Sequence, residues 1–199
     1  YQVIYIGHRG HIEGVGVLGE APTLDIPIVE TAEDVARLDI GQPDKLVYLT
    51  QTTLSVDETQ GVIEALRSKY PAIIAPPLQD ICFATTNRQT AVKVLAERSD
   101  VVLIFGSQNS SNSKRLMETA RSAGVQAYLI DDISMIQAEW FTGIETIGIS
   151  AGASAPEHVV AEAAQYFRSQ GYAVEDFSAL EERMSFAEPL DLMRMKEGK

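Results

Sequence analysis

Short apolar runs recur along the chain at residues 3–6, 26–29, 46–49, 101–105, 127–130, 146–149 and 172–174, each rich in Val, Ile, Leu or Tyr. Their flanks are polar or contain glycine, the pattern of strands buried on both faces of a parallel sheet. Residues 72–74 form a weaker eighth run. Between them lie helical stretches with start and stop signals. Ser55-Val-Asp-Glu58 is a capping box, in which a hydroxyl and a carboxylate satisfy free amides of the first turn; it opens a helix that Pro71 ends. Residues 86–98 carry Ala91, Val92, Leu95 and Ala96 on one face. Residues 112–123 end at Gly124, a left-handed C-cap. Ser154-Ala-Pro-Glu157 reads as a second capping box, with Pro156 in the first turn and a helix running to about Gly171.

Strands alternating with helices predict an α/β architecture with mostly parallel sheets. The 199 residues, 45% of them apolar, suffice for two modest units. The proline-containing segment 71–80 is the natural divide. The expected organisation is one α/β unit over 1–79, a second over 80–171, and a C-terminal strand and tail over 172–199.

Several function classes drop out. No apolar run approaches the roughly 18 residues that a membrane span needs, and no secretory signal is visible. A formal charge of −12 argues against nucleic acid as a partner. One cysteine excludes an internal disulfide and a self-contained multi-thiolate metal site.

Four strands run into loops of small polar residues: Ile4 into Gly7-His-Arg-Gly-His11, Val47 into Thr50-Gln-Thr-Thr53, Leu103 into Gly106-Ser-Gln-Asn-Ser-Ser111, and Ile147 into Ser150-Ala-Gly-Ala-Ser154. In open parallel sheets ligands bind at the carboxyl ends of strands, and helix N-termini there bind anions. The side chains are hydroxyls, amides and imidazoles, so the implied ligand is an anion met by neutral donors: a phosphate or diphosphate.

Individual motifs are less decisive. Gly14-Val-Gly-Val-Leu-Gly19 matches the dinucleotide pattern, but Pro22 and Pro27 follow and no helix is expected, so the match is set aside. Gly152-Ala-Ser-Ala-Pro156 resembles a nucleophile elbow, yet the one later histidine is His158 in the same helix; Ser154 is read as an N-cap free to meet an anion. His8, His11 and Glu13 suggest either a loop of hydrogen-bonded histidines or an acid/base pair of His11 and Glu13. Cys82 precedes a helix, where a thiol is activated, although a lone cysteine is more often a small apolar residue.

Taken together, Gly7-His-x-Gly-His-x-Glu13, Thr50-Gln-Thr-Thr-Leu-Ser-Val-Asp57, Asp80-Ile-Cys-Phe-Ala-Thr-Thr-Asn-Arg-Gln89, Gly106-Ser-Gln-Asn-Ser-Ser-Asn-Ser113 and Ser150-Ala-Gly-Ala-Ser-Ala-Pro156 resemble the 4-hydroxy-3-methylbut-2-enyl diphosphate reductase (IspH/LytB) family, in order and from Tyr1 to at least Gly171. The resemblance implies a trefoil of three α/β domains, of which this chain would hold two and lack the first. It implies a [4Fe–4S] cluster with one cysteine from each domain, Cys82 being the ligand here and two further cysteines lying outside the chain. It implies an allylic diphosphate substrate, reductively dehydroxylated to isopentenyl and dimethylallyl diphosphates, and an electron donor such as ferredoxin or flavodoxin. His11, Ser110, Ser111, Asn112 and Ser154 would line the diphosphate pocket, and Glu13 with Thr52 and His11 would carry the proton relay. A bacterial cytoplasmic or plastid location goes with this reading. By itself the chain is expected to be inactive. Two other readings remain open: a non-catalytic phosphate-binding module, and a thiol enzyme using Cys82.

Overall fold

The computed structural model describes residues 1–41, 45–76 and 80–179. The elements run β1 (Gln2–Ile6), α1 (Ile12–Glu20), β2 (Ile28–Val29), α2 (Ala32–Arg37), β3 (Leu46–Thr50), α3 (Val56–Lys69), α4 (Phe83–Ala96), β4 (Val101–Phe105), α5 (Ser111–Ser122), β5 (Gln126–Ile130), β6 (Ile147–Ala151) and α6 (Glu157–Ser169), with two short 3-10 turns between β5 and β6.

The strands form two three-stranded parallel sheets, in the orders β2-β1-β3 and β5-β4-β6. This is the α/β class that the alternation predicts. Each sheet buries its central strand. In β4 every residue from Val101 to Phe105 is fully buried, as a five-residue apolar run demands. Alternate β4 side chains face opposite layers. Val102 and Ile104 pack with Val92, Ala96, Leu116 and Ala120 of α4 and α5; Leu103 and Phe105 pack with Ala163 and Phe167 of α6. In the first sheet, Ile4 and Ile6 of β1 join Leu46, Tyr48, Val62 and Leu66. Parallel pairing puts the ends of β1 and β3 side by side, Ile6 opposite Thr50, and likewise β4 and β6, Phe105 opposite Ala151. All four polar loops therefore leave carboxyl ends of adjacent strands.

Several expectations are corrected. Residues 14–19 are helical, within α1. Pro22 lies beyond the last helical residue and so ends the helix instead of preventing it. The dinucleotide fingerprint still fails, because its glycines sit inside the helix and not in the turn before it. The helix expected at residue 86 begins at Phe83, placing Cys82 at its N-cap. Ser154 does not cap α6: the turn closes early, through Ala155 N–H to the Gly152 carbonyl, and Pro156 occupies the N-cap without a side-chain cap bond. No strand forms at 172–174. Tyr172 N–H bonds to the Phe167 carbonyl at the end of α6, and its ring packs edge-on against Phe167 at 5.6 Å; the C-cap has claimed it. The run at 72–74 makes a single parallel bridge, Val47 with Ile74. Residues 180–199, which contain most of the expected tail, and 77–79, at the expected divide, lie outside the described residues.

Candidate functional site

The loop after β1 turns at Gly10, whose φ of +77° is a left-handed value that glycine adopts without strain. The turn delivers His11 to the N-cap of α1. There the imidazole Nδ1 accepts the Glu13 N–H at 3.3 Å. Since Nδ1 accepts, Nε2 carries the ring proton, and it donates to Ser111 Oγ at 2.7 Å. The contact joins the loop of the first sheet to the helix that follows β4 in the second.

Glu13, in the first turn of α1, reaches the loop after β3. Its Oε1 accepts the Thr52 N–H at 2.7 Å, and its Oε2 accepts the Thr52 hydroxyl at 3.3 Å. Both oxygens are thus fixed by one residue. Beneath them lies Tyr5, 1% exposed, its hydroxyl buried without a hydrogen-bond partner. Burial, reinforced by the negative charge of Glu13, pushes the phenol up to about 12. The Tyr5 ring is wedged against Gly7 and Gly14, leaving no room for a Cβ at Gly7.

Thr52 also links to the cysteine. Its carbonyl accepts the Cys82 N–H at 3.1 Å. The Cys82 thiol is free and exposed, and it caps nothing. Gln89, buried on α4, holds that helix in place with both ends of its amide. Its Nε2 donates to the Leu54 carbonyl at 2.8 Å and its Oε1 accepts the Val56 N–H at 3.1 Å. Glu13, Thr52 and Cys82 are therefore consecutive links of one chain of contacts.

At the mouth of α5, Ser110 is the N-cap and accepts the Ser113 N–H at 3.2 Å. Asn112 is buried with neither Nδ2 nor Oδ1 paired, and the buried Ser113 Oγ is unpaired too. A Cβ at Gly106 or Gly152 would overlap Ser113 Oγ; glycine at the ends of β4 and β6 is what lets the helix end sit this close. Unpaired buried amides are rare and costly. Here they sit at a helix N-terminus, where the free amides and the dipole favour an anion. Ser154 is exposed in the turn after β6, and β6 is the direct neighbour of β4.

Sequence reasoning passed over three residues. Gln51, fully buried, accepts the His8 N–H at 3.1 Å and donates to Thr53 Oγ1 at 3.0 Å. Asp80 accepts the Thr50 N–H at 2.9 Å. Arg115 pairs with His8, Glu58 and Glu118. A polar residue between two strand-end threonines could have flagged Gln51; nothing local signals the other two, because Thr50 lies 30 positions from Asp80, and His8 and Glu58 lie 107 and 57 positions from Arg115.

A family model described as "LytB protein" matches residues 1–168. The chain belongs to the LytB family. Among its LytB relatives, a protein of Neisseria meningitidis serogroup C named "4-hydroxy-3-methylbut-2-enyl diphosphate reductase" is 48% identical over 199 residues, covering 100% of this chain and 62% of the relative. A protein of the same name from Haemophilus influenzae is 49% identical, covering 98% of this chain and 63% of its own length. The solved E-1-hydroxy-2-methyl-but-2-enyl-4-diphosphate reductase of Plasmodium falciparum superimposes with a TM-score of 0.86 at 32% identity, covering 100% of this chain and 63% of that one. The chain thus spans a little over three fifths of the length of the LytB proteins it matches. Among the described residues no helix is long and apolar enough to cross a membrane, and no group of three or more His, Cys, Asp or Glu is placed to hold a metal ion.

Proposed function

We propose that this chain supplies the diphosphate cradle, the proton-delivering carboxyl and one iron–sulfur ligand of a 4-hydroxy-3-methylbut-2-enyl diphosphate reductase. The observation that carries it is the unpaired Asn112 amide beside the His11–Ser111 contact: polar groups buried without partners, at a helix N-terminus, await an anion.

In this reading Ser110, Ser111, Asn112 and Ser154 bind the diphosphate with His11. The Nε2 proton of His11 is shared between Ser111 and a phosphate oxygen. Glu13 protonates the departing allylic hydroxyl, and Thr52 holds the carboxyl at the required place. The products are isopentenyl and dimethylallyl diphosphates. Two electrons and two protons are consumed and water leaves; the electrons come from a small carrier such as ferredoxin or flavodoxin. We divide the chain into its two α/β units at residue 80, between β1–β3 with α1–α3 and α4–α6 with β4–β6.

Cys82 suits a thiolate ligand of a [4Fe–4S] cluster: its sulfur is free, exposed, at a helix N-terminus, and tied through its amide to Thr52. When bound, such a cluster supplies electrons and a Lewis-acidic iron. Two more thiolates are required than the sequence holds, so the 199 residues alone are expected to retain no stable cluster.

The test is a chimera in which this chain replaces the matching segment of the Neisseria meningitidis relative, reconstituted anaerobically with iron and sulfide. It should bind about four irons per chain and turn over the allylic diphosphate. A chimera with a full cluster that binds the diphosphate but never reduces it would leave the chain a binding module only.

A further inference from the structure

We propose that Arg115 is a positioning residue that sets the rotation of the α5 end against the loop carrying His11. The proposal rests on reading that end as the diphosphate cradle.

A single contact between a helix end and a loop acts as a pivot. Because α5 is seated on β4 and α4 through Leu116 and Ala120, His11 to Ser111 alone would let the loop shift about that point, moving the imidazole relative to the Asn112 amide. A second contact removes the freedom. Arg115 lies four residues, one helical turn, after Ser111 and so on the same face of α5. Its Nη2 donates to His8 Nε2 at 3.3 Å. His8 stands three residues before His11. The loop and the helix are therefore pinned at two points, His11 on Ser111 and His8 on Arg115.

Both sides of the second pin are braced. The Arg115 side chain is only 14% exposed, against 70% for Glu58 and 50% for Glu118, whose carboxylates meet its Nη1 at 3.0 and 2.9 Å. The guanidinium is thus the anchored partner. Its rigid fork lets one nitrogen serve two carboxylates on α3 and α5 while the other faces the loop. On the loop side, Gln51 Oε1 holds the His8 N–H. Glu30 Oε2 accepts from His8 Nδ1 at 3.2 Å. Because Arg115 can only donate, Nε2 of His8 is the acceptor and Nδ1 carries the proton. His8 therefore serves as a bracket, with no ring nitrogen left for a ligand.

The test reads the His11 ring in the 199-residue chain. Long-range proton–nitrogen spectra of histidine-labelled chain, recorded without any phosphate compound, show which imidazole nitrogen carries the proton. The parent should show a single His11 tautomer, with Nε2 protonated and slow to exchange. Arg115→Met should keep that tautomer, because the Glu13 N–H still holds Nδ1, but give a rapidly exchanging Nε2 proton as the Ser111 contact loosens, with little change in far-ultraviolet circular dichroism. Arg115→Lys, which keeps one donor for His8, should restore the slow exchange in part. His8→Ala removes the same pin while leaving Arg115 on Glu58 and Glu118, and should match Arg115→Met; it decides the matter if that variant fails to fold. An unchanged His11 signature in a folded Arg115→Met chain, or in His8→Ala, would overturn the proposal. Separately, pyrophosphate added to the parent chimera should shift the Ser111 and Asn112 resonances; no shift would defeat the diphosphate reading and leave the His11 exchange result standing.

Discussion

The imidazole Nε2 of His11 lies 2.7 Å from the hydroxyl of Ser111, across 100 positions of sequence. The bond crosses between the two sheets, so each half of the site depends on the other for its geometry. Ser111→Ala removes the acceptor and leaves the His11 ring held by the Glu13 N–H alone. In the chimera, diphosphate binding measured by calorimetry should weaken by about 1 kcal/mol, roughly fivefold, the ordinary worth of one hydrogen bond.

Asn112 separates stability from binding. Its amide is buried and unpaired, so it costs free energy in the empty chain and returns it only when a ligand pairs it. Asn112→Leu, close in size, should leave the thermal midpoint of the chain unchanged or raise it by a few degrees. The same substitution should abolish the stabilisation that pyrophosphate gives the parent chimera through mass action.

Gly152 and Ser113 form a steric pair. A Cβ at 152 collides with Ser113 Oγ, and its next neighbours, Ser113 Cβ at 3.4 Å and Asn112 Nδ2 at 3.6 Å, are ordinary contacts. Gly152→Ala should therefore cost about 1–3 kcal/mol in urea unfolding, as overpacking does. Adding Ser113→Ala should recover most of it. Additive losses would show that the backbone at 152, and not the hydroxyl, is the obstacle.

The carboxylates behind the first loop give a pH signature. The Arg9 N–H beside Glu30, with His8 assisting, holds that carboxyl below its ordinary range. The Glu30 N–H, then Arg37, hold Asp34 well below its own. A folded value below the unfolded one stabilises the fold at neutral pH, and the gain fades as pH falls below the unfolded Asp value of about 3.9. Asp34→Asn should thus lower the thermal midpoint at pH 6–7, and the deficit should shrink as pH is lowered towards about 3. A deficit independent of pH would contradict this origin.

The strands and most helix ends were legible because their signals are local. A buried central strand such as β4 must be a solid apolar run, and Gly124 and Gly171 mark helix ends by their left-handed φ of 89°. The errors share one cause: a neighbouring turn or cap outbid the signal that was read. Tyr172 has the residues of a strand, yet Phe167 captures it. The Ser154 box has a capping sequence, yet the 152–155 turn uses the chain up first. Residues 14–19 look too glycine-rich for a helix, yet the His11 cap and the packing of Gly14 on Tyr5 support one. In the site, the polar loops raised the expectation of an anion, but the partnership of Glu13 with Thr52 rests on β1 and β3 being neighbours, which no local pattern in either segment encodes. Arg115 escaped notice because its partners, His8 and Glu58, lie on other elements.

The most direct measurement concerns Glu13, whose two oxygens are fixed by Thr52 at 2.7 and 3.3 Å. In the reconstituted chimera carrying Glu13→Gln, turnover of the allylic diphosphate and its dissociation constant are measured side by side. Proton delivery by Glu13 predicts kcat lower by about 10²–10⁴-fold, the contribution of a positioned acid, with cluster content unchanged and the substrate still bound within a few-fold of the parent. Parent-like turnover in that variant would contradict the assignment of Glu13 as the group that delivers the proton.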